Sequence, residues 1–180
     1  MSVVGVVKND IVMGDHQHLQ HNDAIDKLQE IVKHQGICMM VTNLKDDRSH
    51  SRPMSVSEVD DDGVLWFLSL RTSRKHSELE VDPRVDLHFA NPSDQEFLTV
   101  HGRAEFLNDR ERIKHLFSPW AKAWVPDGAE NPDLRLMKVT PEDGYYWDTK
   151  NGKVVAGIKI LVSMISSRKD DGGVEGQVSV

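Results

Sequence analysis

The stretch Leu70–Leu79, LRTSRKHSEL, gathers Arg71, Arg74, Lys75 and His76 among the hydroxyls of Thr72, Ser73 and Ser77. It follows the bulky apolar run Val64–Leu68, VLWFL. Ser73 stands where a helix N-cap belongs, and Arg74 and Lys75 fall in the first turn. Helix-dipole electrostatics disfavours cations there. Such a placement is either a solvated basic face or an anion site. A helix N-terminus with open N–H groups, a hydroxyl and two cations suits a phosphate. Arg52, at the start of a neighbouring strand, is a third cation that the Asp-Gly turn before residue 64 can bring alongside.

Other constellations compete with this one. His16, His18 and His21 carry metal-ligating imidazoles, but lie in a segment expected to lack fixed register. His76 is expected either near the anion or at the surface. His101 reads as a packed or interface histidine on a strand. Asp60–Asp62 lacks the ligand spacing of a calcium loop and reads as a solvated turn. Trp120 reads as helix-face packing and Trp124 as a loop residue or interface lid. Cys38 is the chain's single cysteine. It sits in an apolar run, where a thiol packs as a small hydrophobe, and points to a reduced, cytoplasmic setting.

The elements that must position these groups are legible from periodicity. Ala24, Ile25, Leu28, Ile31 and Val32 recur on one helical face, predicting a helix over 22–35 stopped by Gly36. Strands are expected at 37–43, 52–59 and 64–70, then a short helix at 73–81 stopped by Asp82-Pro83. A second hairpin spans 84–91 and 96–107, with Gly102 marking a bulge. A helix is expected at 109–120, late strands at 134–140 and 144–149, and a further strand at 153–160. Tight turns outnumber helical crossovers, which predicts a mainly β fold. The expected architecture is an antiparallel sheet closing toward a barrel, with peripheral helices.

The chain has 180 residues, 38% hydrophobic and 28% charged, with a formal net charge of −7. That length suits one domain with a real core. The acidic balance argues against a general nucleic-acid surface. No apolar run approaches the ~20 residues that span a bilayer, so no membrane partner is expected. The expected layout is an N-terminal extension at 1–21, a domain at 22–162 and a flexible polar tail at 163–180.

Taken in order, RPMSVS (52–57), LWFLSLRTSRKHSEL (65–79), VDLHFANPSDQEFLTVHGRAEFL (85–107) and YYWD (145–148) resemble the FMN-binding split-barrel superfamily of pyridoxamine 5′-phosphate oxidase-like proteins. The general stress protein branch is the nearest match. The resemblance covers about residues 22–150. It implies an antiparallel split β-barrel and a homodimer with FMN, or FAD, at the subunit interface. It further implies that Arg52, Arg74 and Lys75 hold the phosphate with Ser73 nearby. Pro53, Met54 and Ser55 would run beside the flavin, with Leu68 and Ser69 at its ring and ribityl chain. Trp147 would approach the cofactor, from the partner subunit in one arrangement. No basic-and-histidine substrate clamp follows YYWD, so pyridoxamine-phosphate oxidation itself is not expected. Two readings stay open: an FMN-dependent oxidoreductase, and a non-catalytic flavin-binding or storage protein.

Overall fold

The computed structural model describes residues 21–147. The N-terminal extension, the strand expected at 153–160, the polar tail, and His16 and His18 of the imidazole cluster fall outside the described residues.

Helix α1 (His21–Gln35) leads into β1 (Ile37–Thr42), β2 (His50–Ser55), β3 (Glu58–Val59) and β4 (Leu65–Leu70). Helix α2 (Arg74–Val81) is followed by the long hairpin of β5 (Arg84–Asn91) and β6 (Glu96–Leu107). Helix α3 (Arg110–Leu116), two short 3-10 turns and β7 (Leu134–Trp147) complete the order. The strands form one seven-stranded sheet in the order β2-β1-β5-β6-β7-β4-β3. All its pairings are antiparallel.

The two edge strands, β2 and β3, are consecutive in the chain. Only a sheet curled back on itself can bring its opposite edges within reach of so short a link. The switch happens between neighbouring amides: Val56 N–H donates to Gly36 O beside β1, and Ser57 N–H donates to Trp66 O on β4. The single strand expected at 52–59 is therefore two strands on opposite edges. This is a split barrel.

Burial follows from that curl. Leu65 and Phe67 of β4 enter the main core with Leu28, Ile31, Met40, Leu87, Leu98 and Val139. Trp66, between them, packs on the opposite face with Ile113, Val125, Leu134 and Leu136. The run VLWFL is continuously apolar because both of its faces are covered. The predicted apolar face of α1 is buried along its length, from Ala24 to Val32. Its chain turns at Gly36, whose φ of 64° is the left-handed conformation that glycine takes without penalty.

The β6–β7 register shifts between His101 and Gly102, the expected bulge. Asp60 organises the β3–β4 turn: its carboxylate accepts from the N–H groups of Asp62 and Val64 and from Trp66 Nε1.

The last part of the chain departs from expectation in two places. The two late strands are one long strand, β7. Helix α3 ends at Leu116, and Pro119 begins a separate 3-10 turn. Trp120 and Trp124 are 86% and 80% exposed, so Trp120 does not share the packed face of Ile113. No helix among the described residues is long and apolar enough to cross a membrane.

Candidate anion-binding site

Strand β2 places His50 and Arg52 two residues apart, hence on one face. Thr42 pairs with His50 across the β1–β2 ladder. Helix α2 sets Glu78 one turn beyond Arg74 and turns it toward the same corner. The result is a cluster around a single carboxylate. The Thr42 hydroxyl donates to Glu78 Oε2 at 2.6 Å, and Arg52 Nη2 donates to it at 2.9 Å. Arg52 Nη1 donates to Thr42 Oγ1 at 2.7 Å. Glu78 Oε1 lies 2.7 Å from His50 Nδ1 and 2.9 Å from Arg74 Nε.

Burial alone would push the Glu78 carboxyl up. The Thr42 hydroxyl, the Arg52 guanidinium and His50 overcome it and hold the group below its ordinary range. Lys75 is shifted downward, first by burial and then by the charge of Arg52, with Glu78 opposing. The cations of this corner differ in engagement: Arg52 and Arg74 are tied to Glu78, whereas no carboxylate among the described residues lies within ion-pair distance of Lys75.

The helix end is open as expected. Ser73 is the N-cap of α2, yet its side chain makes no capping hydrogen bond. Its hydroxyl instead lies 3.4 Å from the Ser69 hydroxyl. Ser69 is thus buried at the junction of β4 and α2, with Leu68 half-buried before it. Met54 packs partly against the main core, while Pro53 and Ser55 face outward from β2.

Trp147 lies apart from this corner. It ends β7 opposite Phe97 and meets the Tyr145 ring edge-on, 4.3 Å between centroids. It belongs to an outward sheet face with Ile37, Met39 and Phe97, which are 56%, 43% and 36% exposed, against 39% for Trp147 itself.

The other basic, histidine and thiol side chains considered above lie outside this cluster. Arg71 leaves the cluster and binds Asp133 through two nitrogens. His76 is buried against Phe106, 3.9 Å between ring centroids, so it is neither a surface residue nor part of the cluster. His101 is half-exposed and meets Asp86 at 2.6 Å. The Cys38 thiol is buried and its pKa pushed up to about 12, which leaves it unreactive as a thiolate. Glu30, His34 and Glu96 bring ligand-type atoms within 4.8 Å of one another. The Lys27 ammonium bridges the two carboxylates at 3.0 and 3.5 Å, so their charge is met by the chain itself.

Thr42, His50 and Glu78 were not among the residues singled out from sequence. The Arg74–Glu78 spacing of four was the one local signal for Glu78. Thr42 and His50 enter only through the β1–β2 register.

A curled antiparallel sheet whose two edge strands are consecutive in the chain defines a split-barrel protein, and the cationic corner beside the open start of α2 is its candidate site. The chain belongs to the family described as pyridoxamine 5'-phosphate oxidase like, whose model matches residues 23–171. Protein bli-3 of Neurospora crassa is 28% identical over 116 residues, 58% of this chain; the chain spans 56% of that relative's length. A Clostridium acetobutylicum crystal structure, of a protein related to general stress protein 26, superposes with a TM-score of 0.63 at 22% identity. It covers 77% of this chain and 96% of the other. The general stress FMN/FAD binding protein of Xanthomonas citri gives a TM-score of 0.59 at 25% identity, covering 76% and 98%.

Proposed function

We propose that this protein binds FMN through its phosphate and works as a flavin-dependent oxidoreductase of the general stress protein type, as a homodimer. The observation that carries the reading is the charge of the cradle. Arg52, Arg74 and Lys75 set three positive charges against the one of Glu78. The surplus of two matches the roughly −1.5 to −2 of a phosphate monoester.

The residues present fit such a group. Lys75 is a partly buried ammonium with no carboxylate within ion-pair distance among the described residues, and desolvated cations gain most from an arriving anion. The uncapped start of α2 offers N–H donors beside the Ser73 hydroxyl. In this reading Pro53, Met54 and Ser55 line one side of the flavin, with Leu68 and Ser69 near its ring and ribityl chain. The likeness to an FMN/FAD binding protein supports a flavin, and FAD would use the same phosphate contacts. The half-exposed apolar residues of the outward sheet face, with Trp147 at its end, suit burial against a second copy.

A bound flavin supplies hydride and single-electron chemistry, and the chain's own groups bind, orient and shield it. Arg52 would hold the phosphate from the sheet side, and Arg74 and Lys75 would hold it from the helix side. Hydrogen-bonding groups of strand β4 would meet the flavin's polar edge.

Titration of the apo-protein with FMN and with riboflavin, followed by flavin fluorescence, tests the cradle. Strong quenching by FMN with weak riboflavin binding is the expected result; equal weak binding of both would overturn the reading. Whether NADH or NADPH bleaches the bound flavin faster than free FMN then separates an oxidoreductase from a flavin store.

A further inference from the structure

Glu78 is an anion at the centre of a cationic corner. It touches two of the three cations directly, Arg52 and Arg74, each at 2.9 Å. The third, Lys75, lies one turn before it on α2 and senses its charge. The Glu78 side chain is only 9% exposed, so salt screens that charge weakly.

Holding the corner together does not require a charge. The Thr42 hydroxyl and Arg52 Nη2 both donate to Glu78 Oε2. A glutamine at the same place could accept both bonds at its amide oxygen. The other oxygen, Oε1, is buried and makes no hydrogen bond among the described residues. It lies at ion-pair distance from Arg74 and His50, so what it adds there is charge. Burial works against that charge, and the surrounding donors keep the carboxyl ionised at neutral pH.

That charge acts on any anion that arrives. A carboxylate repels an anionic ligand in proportion to the ligand's own charge. It therefore lowers the affinity for a phosphate monoester, and lowers it further for a terminal di- or triphosphate. Three cations alone would favour the more highly charged end; with Glu78 beside them that advantage shrinks. The one-unit difference that Glu78 makes is the same for either charge of His50.

We infer that Glu78 is a specificity-determining residue of the cradle: its carboxylate disfavours ligands that end in two or three phosphates, such as nucleoside di- and triphosphates, relative to a phosphate monoester. The inference rests on the phosphate reading of this site and adds what the site rejects. Specificity is a difference of two affinities, and a repulsive group that acts more strongly on the competitor than on the ligand widens it. Some affinity for the monoester is lost in the exchange.

The test is binding of inorganic phosphate and of pyrophosphate, the more highly charged of the two, by calorimetry at pH 7.5 for wild type and Glu78→Gln. Glutamine keeps the acceptor for Thr42 and Arg52 and removes the charge. The size and shape of each anion enter both proteins alike, so the change in the ratio of the two affinities reads the charge. Glu78→Gln is expected to bind phosphate about threefold more tightly and pyrophosphate roughly tenfold more tightly than wild type. A ratio that does not move, or that moves toward phosphate, would overturn the inference. Weaker binding of both anions would overturn it too, and leave Glu78 as a positioning residue for Arg52 alone.

Lys75→Gln leaves Glu78 and its partners in place, and keeps the inference testable should Glu78→Gln not fold. Loss of one positive charge is expected to move the ratio the opposite way, toward phosphate. No movement would show that the charge of the corner does not set its selectivity, and the role of Glu78 falls. Neither probe contains a flavin. If FMN fails to bind while the ratio moves as expected, the flavin reading falls and the role of Glu78 stands. If FMN binds and the ratio does not move, the flavin reading stands and the role of Glu78 falls. If wild type binds none of the three anions, both fall.

Discussion

Arg52 and Glu78 meet at 2.9 Å across 26 positions of sequence, and the contact joins an edge strand of the sheet to helix α2. Glu78 accepts from Thr42 on the same oxygen, so strand, sheet edge and helix share one carboxylate. Buried ion pairs contribute little net stability once desolvation is counted, but removing one partner is costly. The pair is better understood as a positioning device: it fixes the direction of the Arg52 guanidinium before any anion arrives.

The first prediction concerns that direction. Arg52→Ala combined with Lys75→Ala removes the fixed cation and the one that has no carboxylate partner among the described residues. Hydrogen bonds to charged groups contribute about 1.5–3 kcal/mol each. The double variant should therefore bind FMN at least ~100-fold more weakly, by the conversion of about 1.4 kcal/mol per tenfold. Its far-ultraviolet circular dichroism should match wild type, because Glu78 keeps Thr42, His50 and Arg74. Wild-type FMN affinity in a folded double variant would remove the cradle from the phosphate.

A second prediction follows from two carboxylates held below their ordinary range. Asp82 is lowered chiefly by its hydrogen bonds from Arg84, and Glu78 by Thr42 and Arg52 against the opposing effect of burial. Both bind protons less readily folded than unfolded. They therefore stabilise the fold above the ordinary values of 4.5 for Glu78 and 3.8 for Asp82, and that stability is lost as pH falls below them. Urea unfolding at pH 7, 4.5 and 3 should show a midpoint that drops below pH 4.5. Glu78→Gln should be less stable at pH 7 and lose less on acidification. A variant with the wild-type acid dependence would show that Glu78 is not a contributor.

The third prediction addresses assembly. Ile37, Met39, Phe97 and Trp147 lie on one sheet face and remain between a third and three-fifths exposed. Paired charges of like sign on such a face oppose burial against a second copy. Met39→Glu with Phe97→Glu should convert a dimer to a monomer in sedimentation velocity. The core should be unaffected, since both side chains point away from it. A dimer that survives both substitutions would place the interface elsewhere.

Local elements were open to inspection in the amino-acid sequence. The apolar spacing from Ala24 to Val32, the Asp-Gly turn before β4 and the long 84–107 hairpin each depend on neighbours within a few residues. Cations at the start of α2 were visible for the same reason. Arg71 shows where neighbour relations stop: it stands near Arg74 in sequence, yet Asp133, 62 positions on, draws it away from the cluster.

The helices and hairpins, the apolar faces they bury and a cation-rich helix start were all legible in the chain before it folded. Those properties arise from side-chain periodicity and backbone preference, which act over one or two turns. Folding was needed to divide residues 52–59 between two sheet edges, to cover β4 on both faces and to leave Trp120 and Trp124 outside. It alone brought Thr42, His50 and Glu78 to the cations. Curling a sheet until its edges meet is a property of all its strands at once, and a carboxylate becomes the centre of a site only when that closure carries its partners to it.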